Sequence, residues 1–315
     1  MLNRRHLRIK VLQSLYAYFQ SDEESFNRTE KELMTAIERI YDLYLYFLLS
    51  FEELKVAELR RFDDLKAKIR PTEADLNPGR KFVDNRVIAL IEGNKSLRHA
   101  SEMNKVNWIG DEHTEMFKKI MAQIRESEHY FAYMNSEEDS FENDVNFICT
   151  VFKVNIANSS LIYNFFEEKS IFWLDDIDLI CSMVLKTIKG LEAEGYNEIM
   201  PLYKDETDEK DFVRTLLRKT ISRDQENLKL IDDLTKNWDL ERIAKMDIIL
   251  MKMAITELQE FQNIPKKVTL NEYIEISKFY STPKSNGFIN GILDKAVDRL
   301  ERDNKIQKIG RGLID

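Results

Sequence analysis

Apolar residues recur at helical spacing in three successive stretches of the last quarter of the sequence. In the first stretch they cover almost every side of a helix, which is typical of a helix buried on all sides. Pro265 and Pro283 interrupt the pattern and separate the three stretches. The pattern predicts helices over residues 238–258, 270–280 and 287–300. The apolar positions of the first are Leu240, Ile243, Met246, Ile249, Leu250, Met253, Ala254, Ile255 and Leu258.

The second of these helices carries a start signal. Thr269 and Glu272 fit the S/T-x-x-E capping box, in which side chain and backbone satisfy each other's unpaired donors. Val268 and Tyr273 lie at the positions of the hydrophobic staple that accompanies such a cap. We therefore expect this helix to begin just after Thr269. The predicted inner side of the third helix consists of Phe288, Ile292, Leu293, Ala296, Val297 and Leu300.

The beginning of the chain is also predicted to be helical. Residues 3–20 have an amphipathic pattern, and residues 28–69 form a second stretch that is rich in aromatic residues. Those rings suit either a base-stacking strip or a core, and core packing is the favoured interpretation. The predicted packing side of the first helix contains Arg5, Ile9, Leu12, Tyr16 and Phe19. The aromatic residues of the second stretch are Tyr41, Tyr44, Tyr46, Phe47 and Phe51.

Helical patterns continue through the middle of the chain, over residues 82–134 and 208–236. Residues 145–200 match residues 210–265 weakly when the chain is shifted by 65 positions, which suggests a duplicated helical hairpin. Chance agreement between amphipathic helices is the alternative. No region shows the strand-and-helix spacing of a parallel sheet. The fold class predicted from these patterns is all-α.

Charge changes this picture at one place. The chain has 315 residues and a formal net charge of −9, which argues against a uniformly basic nucleic-acid-binding surface. The first twenty residues differ, because they contain Arg4, Arg5, Arg8 and Lys10 but no Asp or Glu. A basic end on an acidic chain is the asymmetry expected of a localised anion-binding site. The alternative is an ordinary solvated basic helix end.

Motifs for catalysis, metal binding and cofactor binding are absent from the sequence. The glycines form neither a phosphate loop nor a dinucleotide fingerprint, and no nucleophile or zinc-protease motif is present. Cys149 and Cys181 lie outside any C-x-x-C motif, and no two histidines have zinc-ligand spacing. Met1 is not followed by a secretory leader, and no apolar run reaches membrane-spanning length. We therefore expect a cytoplasmic non-enzyme with no catalytic residues, no metal, no cofactor and no membrane association.

The last quarter of the sequence resembles the NusB family of bacterial transcription antitermination factors. Several spaced elements agree in the same order, so the signal is specific. The matching residues are Glu241, Arg242, Asp247, Ile249, Leu250, Ala254, Glu257, Leu258, Ile264, Pro265, Val268, Asn271, Glu272, Ile276, Lys278, Ser285, Phe288, Asn290, Gly291, Leu293 and Asp294. The first helix resembles the arginine-rich opening helix of the same family through Arg5, Arg8, Gln13, Leu15 and Tyr16.

The resemblance implies an antiparallel helical bundle and an RNA-binding function. Family members pair with the ribosomal protein also called NusE, bind the boxA element of ribosomal RNA leaders, and act in the RNA polymerase antitermination complex. The implied RNA contacts are Arg4, Arg5, Arg8, Phe288 and Asn290. The partner face maps to Tyr16 and Asp247, and Lys284 departs from the residues usual at its position. We expect that replacing the three arginines by glutamine weakens RNA binding without unfolding the protein.

The resemblance covers the chain unevenly and divides it into four segments. Residues 1–20 are the basic first helix of the NusB-like core, and residues 208–300 are its carboxyl-terminal bundle. Residues 21–207 are a helical insertion that ordinary family members replace by a much shorter connection. Residues 301–315 are a polar, loose tail.

Two alternatives have other functions. A helical protein–protein adaptor without RNA binding has the same apolar pattern, but the basic first helix argues against it. A NusB-like regulatory domain of an RNA cytosine methyltransferase requires a following glycine-rich cofactor domain, which these 315 residues do not contain.

Overall fold

The computed structural model describes residues 1–21, 25–170, 172–235 and 242–313. All regular secondary structure within these ranges is helical, which confirms the predicted all-α fold class. The α-helices are α1 Arg4–Gln20, α2 Phe26–Lys66, α3 Glu73–Leu76, α4 Arg86–Glu92, α5 Lys95–Asn104, α6 Asp111–Arg125, α7 Glu128–Asn135, α8 Phe141–Val151, α9 Ser160–Lys169, α10 Ile177–Lys189, α11 Glu206–Ser222, α12 Asp224–Leu234, α13 Lys245–Glu260, α14 Lys266–Tyr280 and α15 Ser285–Arg302.

These helices form two compact units. The first contains Met1 and Glu38–Leu202, and the second contains Leu2–Ile37 and Tyr203–Asp315. The long helix α2 contributes its beginning to the second unit and the remainder to the first. Short π-helical and 3-10 segments supplement the α-helices at Phe152–Ile156, Leu174–Asp176 and Gly310–Leu313.

The first unit has an aromatic core. Tyr46 makes edge-to-face contacts with Trp108 and Trp173, whose ring centroids lie 4.8 and 5.8 Å away. Both indoles also satisfy their N–H groups, since Trp173 Nε1 donates to Arg39 O at 2.8 Å and Trp108 Nε1 donates to Tyr46 O at 3.0 Å. Burying a ring while pairing its polar atom is the usual arrangement for tryptophan. The core interpretation of the aromatic stretch is confirmed for Tyr44, Tyr46, Phe47 and Phe51, whereas Tyr41 is half-buried.

No single helix in the described ranges is long and apolar enough to cross a membrane; one pair, Phe141–Ile156 with Ser160–Lys169, bent by 67°, reaches that length and composition jointly. Among the described residues, no group of histidine, cysteine and acidic side chains is arranged to hold a metal ion.

Helix α13 lies at the centre of the second unit. It packs against α1, α11, α12, α14 and α15. Every residue from Ile249 to Leu258 is buried, which confirms that this is a helix enclosed on all sides. The helix begins at Lys245, later than predicted, because the backbone of Ala244 is not helical, with ψ 132°. The remaining predicted residues of this helix, 238–241 with Leu240, lie outside the described part of the chain.

The predicted start of α14 is wrong. The helix begins at Lys266, directly after Pro265, and Thr269 lies inside it. Proline suits this position, since the backbone N–H that it lacks has no partner in a first helical turn. The Thr269 hydroxyl donates instead to the Glu257 carboxylate at 2.9 Å. Val268 is exposed, so the predicted hydrophobic staple does not form.

The predicted packing sides of α1 and α15 are partly wrong. Of the predicted α1 side only Leu12 is buried, while Arg5 and Tyr16 are exposed. The buried α1 residues are Leu7, Arg8, Lys10, Val11, Leu12 and Leu15. The buried side of α1 therefore includes Arg8, whose charge is neutralised by a buried acidic partner inside the bundle. On α15, Phe288 and Val297 are half-buried, and the other predicted residues are buried.

The segment after α15 is not loose. The Ile309 N–H donates to Gln262 O at 3.1 Å, and the Lys308 ammonium donates to Phe261 O at 2.9 Å. Gly312 lies so close to the same turn that a Cβ atom there would be 1.9 Å from Gln262 O. The Lys308 ammonium and the backbone of Ile309 therefore dock this segment onto the turn between α13 and α14, and both bond to backbone carbonyls, which an apolar side-chain pattern does not encode.

We expect Gly312→Ala to release this segment, because backbone at 1.9 Å cannot yield to a methyl group without a shift of the chain. Hydrogen exchange at Ile309 should rise to the rate of an unprotected amide. The matched control is Gly287→Ala, where nothing lies within 4 Å of the added methyl. Equal protection of Ile309 in both variants would show that Gly312 does not hold the segment.

Candidate nucleic-acid and partner surfaces

The amino-terminal turn of α1 is held by a reciprocal cap. The Asn3 side chain accepts from the His6 N–H at 3.1 Å, and the Asn3 N–H donates to His6 Nδ1 at 3.3 Å. Burial and the adjacent Arg5 charge lower the pKa of His6, which keeps its ring neutral and able to accept. This cap fixes the start of the helix that carries the three predicted arginines.

The first two arginines form exposed ion pairs. Arg4 donates to Asp208 on α11 at 2.7 Å, and its guanidinium lies 4.8 Å from the centroid of the Phe212 ring. Arg5 makes a two-pronged contact with Glu272 on α14, with Nε–Oε2 at 2.8 Å and Nη2–Oε1 at 2.7 Å. The Arg5 side chain remains 43% exposed and that of Glu272 19% exposed. Such pairs are weak, since solvent screens them.

Arg8 is different, because its side chain is only 2% exposed. Its Nε and Nη2 donate to the two oxygens of Glu257, at 2.8 and 2.6 Å, and Glu257 is fully buried. Burial by itself lowers the pKa of Arg8, but attraction and hydrogen bonding to Glu257 raise it well above its ordinary value. The pair is therefore a charged interaction enclosed within the bundle.

Glu257 joins three helices. Besides Arg8 from α1, its carboxylate accepts from Thr269 and from Tyr273 of α14, each at 2.9 Å. Burial, reinforced by the Glu257 charge, raises the pKa of Tyr273 well above its ordinary value, so the phenol stays protonated as a donor. A buried carboxylate with this many donors is satisfied electrostatically, and its removal would deprive the buried Arg8 guanidinium of the partner that accepts its two hydrogen bonds.

The expectation that glutamine at all three arginine positions leaves the fold intact is therefore revised for Arg8. Glutamine cannot neutralise Glu257, which would remain as a buried, incompletely paired charge. The pairing was hidden from the sequence because Arg8 and Glu257 are 249 positions apart. The available signal for this pair was that Arg8 and Glu257 are both among the residues that carry the family resemblance.

The predicted residues of α15 do not lie on one side of that helix. Phe288 is half-buried, whereas Asn290 is exposed and donates to Asp294 at 3.4 Å. Residues two positions apart are separated by about 200° around a helix axis, so these two side chains leave it in different directions. Lys284 is exposed and directly precedes the helix.

The two predicted partner residues also differ in accessibility. Tyr16 is 40% exposed on α1, so its ring is available to a partner surface. Asp247 is buried, and its carboxylate accepts from the hydroxyls of Ser281 and Ser285 at the α14–α15 connection, the latter at 2.7 Å. Asp247 thus fixes the first turn of α15 through Ser285, which lies three residues before Phe288.

These observations define a helical protein whose basic first helix is tied to a carboxyl-terminal bundle by the buried Arg8–Glu257 pair and by more exposed ion pairs of Arg4 and Arg5. Residues 177–298 match the model of the NusB family. The match begins in α10, ahead of the predicted bundle boundary at residue 208. It does not include α1, so the resemblance of residues 1–20 rests on their own sequence.

Proteins named transcription antitermination protein NusB are similar to this chain. The one from Salinibacter ruber is 41% identical over 115 residues, which are 36% of this chain and 71% of that protein. The one from Chloroherpeton thalassium is 41% identical over 34% of this chain and 50% of that protein. The one from Natranaerobius thermophilus is 33% identical over 36% of this chain and 82% of that protein. No solved structure matches.

The chain therefore belongs to the NusB family. Its length beyond the matched region distinguishes it from the relatives named above, because each of them aligns with only about a third of the chain. The predicted segment boundaries at 20, 207 and 300 remain predictions, as does the repeat of residues 145–200.

Proposed function

We propose that this protein is a transcription antitermination factor that binds boxA-type ribosomal RNA together with the NusE ribosomal protein. In this proposal the protein is not an enzyme, it affects the processivity of RNA polymerase, and it works in the cytoplasm. The similarity to proteins named for antitermination carries this proposal. The exposed arginines at the start of α1 support it physically, since guanidinium groups pair with phosphate and stack on bases.

Arg4 and Arg5 are the proposed phosphate contacts. Both are accessible and both engage carboxylates, Arg4 through one hydrogen bond and Arg5 through the two-pronged contact that a phosphate would also accept. Exchanging an exposed carboxylate for a phosphate costs little, because an exposed ion pair contributes at most about 1 kcal/mol. Arg8 remains part of the proposed RNA site, but as a positioning residue, since its guanidinium is enclosed with Glu257.

The other proposed residues follow the same division. Asn290 is a candidate base contact because it is exposed, and Phe288 is a candidate stacking partner because it is only half-buried. Tyr16 is the proposed contact with the ribosomal partner. Asp247 contributes by fixing the α15 turn that presents Phe288.

The test is replacement of Arg4 and Arg5 together by glutamine. We expect the variant to fold normally and to bind boxA RNA more weakly when the ribosomal partner is present. Each phosphate contact on a single strand contributes about −0.7 to the slope of log K against log salt, so losing two flattens the slope by about 1.4. The measurement is a salt series of RNA titrations, with circular dichroism to verify folding.

The matched control is Arg80→Gln, an exposed arginine of the first unit that is also paired with an acid, Asp84. Like each of the two α1 substitutions, it removes one positive charge, but it leaves α1 unchanged. Unchanged affinity and slope in the Arg4/Arg5 variant would move the RNA site away from α1.

A helical adaptor that does not bind RNA is the second candidate. One observation favours it, namely that both exposed α1 arginines already have acidic partners within the same unit. Co-purification distinguishes the two functions. An adaptor would retain the ribosomal partner and show no gain in RNA binding, whereas the proposed factor would bind RNA more tightly in the complex.

A further inference from the structure

We propose that Glu272 competes with RNA phosphate for Arg5 and thereby sets the RNA affinity of this protein. The inference rests on the proposed function and adds a residue to it that acts against binding. Glu272 lies on α14, outside the two helices α1 and α15 that are expected to contact RNA, and it holds the Arg5 guanidinium through two hydrogen bonds.

The geometry makes Glu272 a phosphate substitute. Two parallel N–H to oxygen bonds at 2.8 and 2.7 Å are how arginine recognises a carboxylate or a phosphate, so the two anions compete for the same donor edge. Glu272 Oε2 also lies 3.6 Å from Arg8 Nη1. The Glu272 carboxylate therefore occupies the exposed donor edge of Arg5 and also offsets part of the positive charge of Arg8.

Glu272 is ionised whenever the protein is folded near neutral pH. The hydrogen bond from Arg5 lowers its pKa, and the same bond raises the pKa of Arg5. The competition is therefore between two permanent anions and depends on salt concentration and charge, with little dependence on pH near neutrality. A phosphate must displace the carboxylate before it contacts Arg5.

We expect Glu272 to be dispensable for folding. The attachment of α1 to the bundle is provided by the buried Arg8–Glu257 pair and by the apolar residues around it. Glu272 is partly exposed, and exposed pairs contribute little to stability. Glu272→Gln preserves the shape of the side chain and one acceptor for Arg5 while removing the negative charge.

The experiment compares the affinity of wild-type protein and Glu272→Gln for boxA RNA in the presence of the ribosomal partner. We expect the variant to bind about two- to fivefold more tightly at low salt, the range that corresponds to one exposed ion pair. The gain should be the same for a single-stranded RNA of equal length without boxA, because phosphate contacts carry no sequence information. It should vanish when Arg5→Gln is added, since the competition acts through that guanidinium.

The matched control is Asp84→Asn, which removes one exposed, arginine-paired carboxylate from the first unit. An equal gain in that variant would reduce the effect to net charge and overturn the inference. A gain restricted to boxA RNA would overturn it as well, because Glu272 would then contact a base. If wild type binds RNA and Glu272→Gln binds it with the same affinity, the competition is refuted and the proposed function stands. No RNA binding by wild type or variant refutes both.

Discussion

Arg8→Gln is expected to destabilise the second unit by about 3–5 kcal/mol, the cost of leaving one member of a buried ion pair without its partner. Glu257 would keep its hydrogen bonds from Thr269 and Tyr273, but its negative charge would remain uncompensated inside the bundle. Since whole domains are stable by only about 5–15 kcal/mol, this is a large fraction of the total. Denaturant unfolding followed by circular dichroism measures the loss.

Two comparisons make this result specific. Arg5→Gln removes an arginine from the same helix but breaks only an exposed pair, so its unfolding midpoint should stay close to that of wild type. Arg80→Gln also breaks only an exposed pair, in the first unit, so its unfolding midpoint should stay close to that of wild type as well. If Arg8→Gln unfolded at the same denaturant concentration as these two variants, the buried pair would not be what holds α1 on the bundle.

Ala254→Asp is expected to have a similarly large effect, because Ala254 is completely buried on the central helix α13. An unpartnered carboxylate there costs about 3–5 kcal/mol, and fitting its extra atoms into packed surroundings adds to the loss. The loss should be smaller at pH 4 than at pH 7 when each is compared with wild type. Burial raises the pKa of a carboxyl group, so the neutral form, which is cheaper to bury, accumulates in acid.

Ala17→Asp is the matched control, since Ala17 is an exposed alanine on a helix of the same unit. Its effect on stability should stay within about 0.5 kcal/mol, as is usual for surface substitutions. Thermal and denaturant unfolding of both variants at the two pH values tests the prediction. If Ala254→Asp were as stable as Ala17→Asp, α13 would not form the centre of this unit.

The positions of the helices were predictable to the extent that local periodicity controls them. The apolar pattern around Leu250 and Ala254 predicted a helix enclosed on all sides, and that helix is buried from Ile249 to Leu258. Helix starts were less predictable, because a cap depends on which group a side chain finds in three dimensions. Thr269 satisfied the rule for a capping box, yet its hydroxyl bonds to Glu257 of a different helix.

The candidate site was predictable as a set of residues but not as an arrangement. The acid-free start of the chain and the family resemblance together drew attention to Arg4, Arg5 and Arg8. Neither revealed that one of the three is enclosed, since the exposure of a side chain is set by what packs against its helix. The same reason applies to Tyr16, which the helical pattern placed on the packing side of the first helix and which is exposed.

The sequence by itself determined the helical class of this protein and its membership in the NusB family, because both depend on the identity and spacing of residues along the chain. Only the tertiary structure decided what each charged residue does. Arg5 and Arg8 lie three positions apart on one helix, yet one is an exposed donor and the other a buried support. The difference comes from Glu272 and Glu257, which are distant in sequence and reach α1 only when α13 and α14 pack against it.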